Sequence, residues 1–140
     1  MILNVQSPAS IQPVPGATAY CSGRWALRGL TEALSADTFG TGVRVQEVHL
    51  GDVHNSAYFE DDPKSKTRFP WIVPLLIVPA VTTESSASAI LAALRSGRRR
   101  YFYPFMLSAT NVLQAICPMA VRFLTLATGA RMAPSLEAQK

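Results

Sequence analysis

The chain has 140 residues, 49% of them hydrophobic and 16% charged, with a net charge of +4. That is the size of one domain, and the charge is too mild to demand a nucleic-acid partner. Its two cysteines, Cys21 and Cys117, lack metal-ligand spacing and a second pair, which excludes a disulfide scaffold and a thiolate zinc site and points to free thiols in a reducing, cytoplasmic compartment. No basic stretch followed by a long apolar run opens the chain, so no signal peptide is predicted.

In chain order, the apolar run Ile2, Leu3, Asn4 and Val5 predicts a short buried parallel strand, followed by a Ser/Pro/Gly loop through Gly16. Thr18 is the predicted N-cap of a helix running to about Thr38, with Ala26, Leu27, Leu30, Ala33 and Leu34 as its apolar face. Tyr20 and Arg24 lie four apart on that helix, one turn from each other on one side. Ser7 stands thirteen residues before Tyr20, at the strand end. A hydroxyl facing a phenol–cation pair is a proton-transfer arrangement, because a phenol of pKa about 10 works near neutrality only beside a cation.

Gly40, Thr41 and Gly42 break the chain, and Val43, Val45, Val48 and Leu50 predict a second strand that ends at Gly51. Strand, helix and strand in this order make one right-handed crossover with parallel pairing. Residues 51–82 are the least regular. Residues 69–79 are apolar but interrupted by Pro70, Pro74 and Pro79, too short to span a bilayer and unfit for a continuous helix. A helix is predicted over residues 83–94, capped by Thr82 or Thr83 and stopped by Gly97, with Ala87, Ile90, Leu91 and Leu94 inward. Arg98, Arg99 and Arg100 form a solvated turn into a short strand over residues 101–103, a better account than nucleic-acid binding. Residues 105–128 read as an apolar helix broken at Pro118, and residues 129–140 as a disordered tail. His49 and His54 have no partner at metal-ligand spacing, so no metal site is predicted.

Asn4-Val5-Gln6-Ser7, then Tyr20-Cys21-Ser22-Gly23-Arg24 thirteen residues after the serine, then Leu50-Gly51-Asp52-Val53-His54-Asn55 after the next strand, resemble the catalytic half of the short-chain dehydrogenase/reductase family. The likeness is close over residues 1–55 and weaker over 56–128. It implies an α/β fold, the C-terminal half of a doubly wound Rossmann-type parallel sheet with apolar C-terminal helices. Residues 1–128 would be a truncated family domain, since the family's glycine-rich cofactor loop belongs upstream of Ile2. The resemblance further implies an NAD- or NADP-dependent exchange of hydroxyl and ketone on a small apolar substrate. Ser7 would polarise the carbonyl, Tyr20 would be the acid/base, and Arg24 would stand where the family has its ribose-binding lysine. Tyr20, Arg24, Gly51, Val53 and Asn55 would face the cofactor. Arg24 for lysine, Leu50 for proline and Asn55 for threonine are departures, and arginine cannot lose its proton, so impaired chemistry is the expectation. Residues 69–79 fall where the family has its mobile substrate-binding segment, and a lid and an ordinary packed loop stay open there. Two further alternatives stay open: a non-catalytic remnant or interaction module without a dinucleotide, and peripheral membrane contact or self-association through the C-terminal helices.

Overall fold

The computed structural model describes residues 1–14, 17–53 and 80–129. In chain order they form strand β1 (Ile2–Gln6), a 3-10 turn (Pro8–Ser10), helix α1 (Thr18–Asp37), strands β2 (Val45–Leu50), β3 (Asp52–Val53) and β4 (Ala80–Val81), helix α2 (Thr83–Ser96), strand β5 (Arg100–Tyr103), and helices α3 (Met106–Ile116) and α4 (Pro118–Gly129). Residues 69–79, read as either a lid or a packed loop, lie outside the described residues, as do His54 and Asn55. So does the predicted tail, apart from Gly129, which closes α4.

The main sheet has the order β1-β2-β5, and every pairing is parallel, with Val5 opposite Val48 and Val48 opposite Tyr101. β3 and β4 form a separate parallel pair. Side chains alternate across a strand, so Leu3, Val48, Leu50, Tyr101 and Tyr103 share one face. They pack against Ala89, Ile90 and Ala93 of α2, and this is the apolar core. Asn4, Glu47, His49 and Arg100 share the opposite face, where Asn4 Nδ2 donates to Thr31 Oγ1 of α1 at 2.8 Å. Helices thus cover both faces, all six residues of β2 are buried, and the fold is the α/β, Rossmann-like arrangement expected.

The layers correct several details. Thr18 is the first helical residue rather than the cap; Ala17 precedes it and makes no side-chain cap bond. The inward stripe of α1 is Leu27, Arg28, Thr31 and Leu34, whereas Ala26, Leu30 and Ala33 are exposed. The helix lies on the polar side of the sheet, so polar side chains face in. Val43 is exposed and lies ahead of β2. On α2 the buried residues are Ser86, Ala89 and Ala93, small enough for close approach, while Ala87 and Leu91 face out.

Termini follow the sequence closely. Thr82 Oγ1 accepts from the Ser85 N–H, Ser85 Oγ accepts from the Thr82 N–H, and Gly97 closes α2 at φ 65°. Gln46, buried on the apolar side, donates from Nε2 to the Arg98 carbonyl at 2.8 Å, which fastens the turn after α2 to the sheet. Among the described residues no single helix is long and apolar enough to cross a membrane; α3 and residues Pro118–Thr125 reach that length and hydropathy only together and are bent by 117°.

Candidate functional site

β1 ends at Gln6, and Ser7 turns the chain as N-cap of the 3-10 turn, its Oγ accepting from the Ala9 N–H at 3.2 Å. That leaves the hydroxyl proton free to be directed elsewhere. α1 then returns over the strand, and the Val14 N–H donates to Cys21 Sγ at 3.3 Å, tying the loop to the helix. Arg24 reaches back to the strand end, where Nη1 donates to the Val5 carbonyl at 3.1 Å. Its guanidinium carbon lies 5.0 Å from the centroid of the Tyr20 ring, a cation–π contact, and Tyr20 is 47% exposed. Phenol, cation and serine turn therefore gather around the C-terminal edge of β1, where open α/β sheets bind ligands.

The remaining predicted residues are placed differently. The Gly51 N–H donates to the Tyr103 carbonyl at 2.8 Å, so that backbone donor is committed to the sheet. Val53 pairs with Val81 in the small β3–β4 ladder. Asn55 is outside the described residues. As a cradle for NAD or NADP the fit is partial. Tyr20 and Arg24 present a half-exposed phenol and a cation suited to the ribose end. No glycine-rich phosphate loop of the family's pattern occurs in these 140 residues.

Beneath this edge lies a buried polar cluster that the sequence reading did not bring together. Glu47 and His49, two apart on β2, are both fully buried on the side facing α1. Glu47 Oε1 is 2.7 Å from Arg100 Nε, an ion pair, and 3.3 Å from His49 Nε2, and neither contact is a well-aligned hydrogen bond. Glu32 of α1 pairs with both Arg99 and Arg100. The arginine run is thus not a purely solvated turn, because Arg100 opens β5 and bridges two carboxylates. Arg28 donates to the Ser10 carbonyl at 3.0 Å and to Asn111 Oδ1 of α3 at 3.2 Å. His49 stacks on Phe102 with ring centroids 4.7 Å apart, and its Nδ1 lies 3.1 Å from Ser10 Oγ.

Burial opposes charge on Glu47, yet His49, Arg100 and Arg28 together hold its carboxyl below the ordinary value. Burial, and then Arg100, lowers that of Arg28. The sequence signal for this cluster was period-two alternation: in a strand over residues 45–50, Glu47 and His49 must share a face.

Residues 1–66 match the family model described as short chain dehydrogenase. Over 98 residues, 66% of this chain, the sequence is 32% identical to 4-formylbenzenesulfonate dehydrogenase TsaC1/TsaC2 of Comamonas testosteroni. The aligned part spans 39% of that relative's length. Motif spacing, parallel β-α-β topology and the matched segment agree: residues 1–66 are a segment of the short-chain dehydrogenase/reductase family.

Proposed function

We propose that these residues are the catalytic, C-terminal portion of an NAD(P)-dependent oxidoreductase that interconverts a hydroxyl and a ketone on a small apolar substrate. The observation that carries this reading is the Arg24 guanidinium over the Tyr20 ring beside the turn that holds Ser7. Bound there, a nicotinamide would supply or accept the hydride. Tyr20 Oη gives or takes the proton on the substrate oxygen, and the Ser7 hydroxyl donates to that oxygen as negative charge builds. Arg24 keeps a fixed positive charge beside the phenol and the ribose. It cannot pass a proton on, so turnover falls below that of a lysine-bearing site.

The test has two arms. The 140-residue chain alone binds NAD(H) and NADP(H) only weakly, because a helix N-terminus behind a glycine-rich loop is what holds the pyrophosphate. Micromolar binding in titration calorimetry would overturn that. In a full-length enzyme carrying this segment behind a family cofactor-binding half, NAD(P)-linked oxidation of small apolar alcohols is followed spectrophotometrically. Turnover there that survives Tyr20→Phe undiminished removes Tyr20 as the acid/base.

An interaction module that holds no dinucleotide is the second reading. It is supported by the exposed apolar side chains of the C-terminal region, Phe105, Ile116, Met119 and Phe123, which would serve self-association or contact with a membrane surface. It requires both arms to show no dinucleotide binding and no turnover, and predicts that the chain co-sediments with itself or with lipid vesicles.

A further inference from the structure

The geometry points to His49 as a positioning residue for Ser7, acting through Ser10. Its functional meaning rests on the reading of Ser7 as the carbonyl-polarising hydroxyl; the linkage itself does not. Ser10 Oγ is 2.7 Å from the Ser7 carbonyl oxygen, which can only accept, so the single hydroxyl proton of Ser10 points there. His49 Nδ1, 3.1 Å from the same Oγ, must then be the donor. The tautomer is fixed by its partners rather than by the ring alone.

The other ring nitrogen, Nε2, faces Glu47 Oε1 at 3.3 Å. The ring is also clamped by Phe102. The charged groups around it are Glu47 on its own strand, Arg100 on β5, and Arg28 and Glu32 on α1.

A continuous chain of contacts thus runs from β5 through Glu47, His49 and Ser10 to the Ser7 carbonyl. The Ser7 carbonyl also accepts from the Ser10 N–H at 3.1 Å, and the Pro8 carbonyl accepts from the Ile11 N–H at 2.9 Å. Ser10, Ile11 and His49 are all fully buried. The 3-10 turn that aims Ser7 is therefore anchored at its far end to a rigid central strand, and Ser7 is set by β2 as well as by its own turn.

The experiment is nuclear magnetic resonance on the 140-residue chain, with His49→Leu, His49→Asn and Ser10→Ala variants. Long-range nitrogen–proton spectra of the parent should show a hydrogen on His49 Nδ1. Hydrogen exchange at the Ser10 and Ile11 amides should quicken about tenfold in Ser10→Ala and His49→Leu, the effect of losing one hydrogen bond, while Val48 and Leu50 stay protected. His49→Asn, whose amide nitrogen can take the place of Nδ1, should restore slow exchange. A parent ring with no hydrogen on Nδ1, or a Ser10→Ala turn as protected as the parent's, would overturn the proposal. If His49→Leu does not fold, Ser10→Ala decides, because it leaves the buried ring in place. None of these readouts needs cofactor or turnover, so the linkage can fail while the oxidoreductase reading stands, and the reverse.

Discussion

In the proposed site, Arg24 stands beside Tyr20 where the family has a lysine. A lysine ammonium is a compact donor on a flexible stem, whereas the Arg24 guanidinium is a planar fork that here spans the Tyr20 ring and the Val5 carbonyl. In a full-length enzyme carrying this segment, Arg24→Lys is expected to raise turnover by roughly tenfold or more, within the usual range for proton-transfer groups; steady-state kinetics checks it. Glu47 belongs to the same scale. Its depressed folded-state value means that the native protein binds fewer protons than the unfolded chain, whose carboxyls titrate near about 4.3. The stabilisation is fully present above that value and is lost as pH falls through the lower folded one. Glu47→Gln leaves His49 without its carboxylate neighbour and Arg100 paired with Glu32 alone. It should cost roughly 3 kcal/mol at neutral pH, the lower end for breaking a buried pair, because Arg100 is partly exposed. Urea unfolding at pH 7 and pH 3.5 should show the gap between parent and variant narrowing in acid.

At the scale of elements, α2 is the clearest case of local sequence agreeing with tertiary demand. Its threonine cap and its glycine stop were legible, and both are satisfied, with Ser85 completing the cap as a reciprocal box. Glu84 lies below the ordinary carboxylate value because of its own backbone N–H and the Thr82 and Thr83 side chains. Thr82→Ala removes the side-chain oxygen that accepts from the Ser85 N–H and should cost about 1 kcal/mol. Gly97→Ala should cost about the same, from its positive φ alone, since an added Cβ would meet only Arg44 Nη1 at 3.8 Å, an ordinary contact. Thermal or urea midpoints of the two variants measure both. The inward faces of α1 and α2 were less legible: the apolar residues of α1 were assigned to the sheet, yet the sheet face it meets carries Asn4, Glu47 and His49. Thr31 and Arg28 serve there better than Leu30.

For the whole molecule, the arrangement of layers sets the expected behaviour in solution. β1 is an edge strand among the described residues, with Ile2 and Val5 exposed. The outer side of α1 adds Trp25 and Leu30, and Phe39 is 91% exposed just beyond it. Apolar surface of a few hundred Å² at about 25 cal/mol per Å² amounts to several kcal/mol, comparable with the 5–15 kcal/mol that holds a typical domain together. Sedimentation velocity should show mass rising with concentration, as unpaired edges and exposed apolar faces find partners. A strictly monomeric profile with a sharp melt above about 60 °C would contradict this.

The sequence by itself determined what depends on neighbours along the chain. The order strand, helix, strand, the break at Gly40–Gly42, the cap at Thr82 and stop at Gly97, and the spacing of Ser7, Tyr20 and Arg24 are all short-range signals, and the elements follow in that order with ends shifted by a residue or two. The tertiary structure decided what depends on neighbours across the sheet. A lone strand at residues 45–50 shows that Glu47 and His49 share a face, but not that Arg100, Arg28, Glu32 and Ser10 converge on it from separate elements. Nor could helical spacing say that Arg24 would reach the Val5 carbonyl while lying over Tyr20. Burial and charge pairing are properties of the packed layers, and the polar underside of this sheet reversed which side of α1 faces inward.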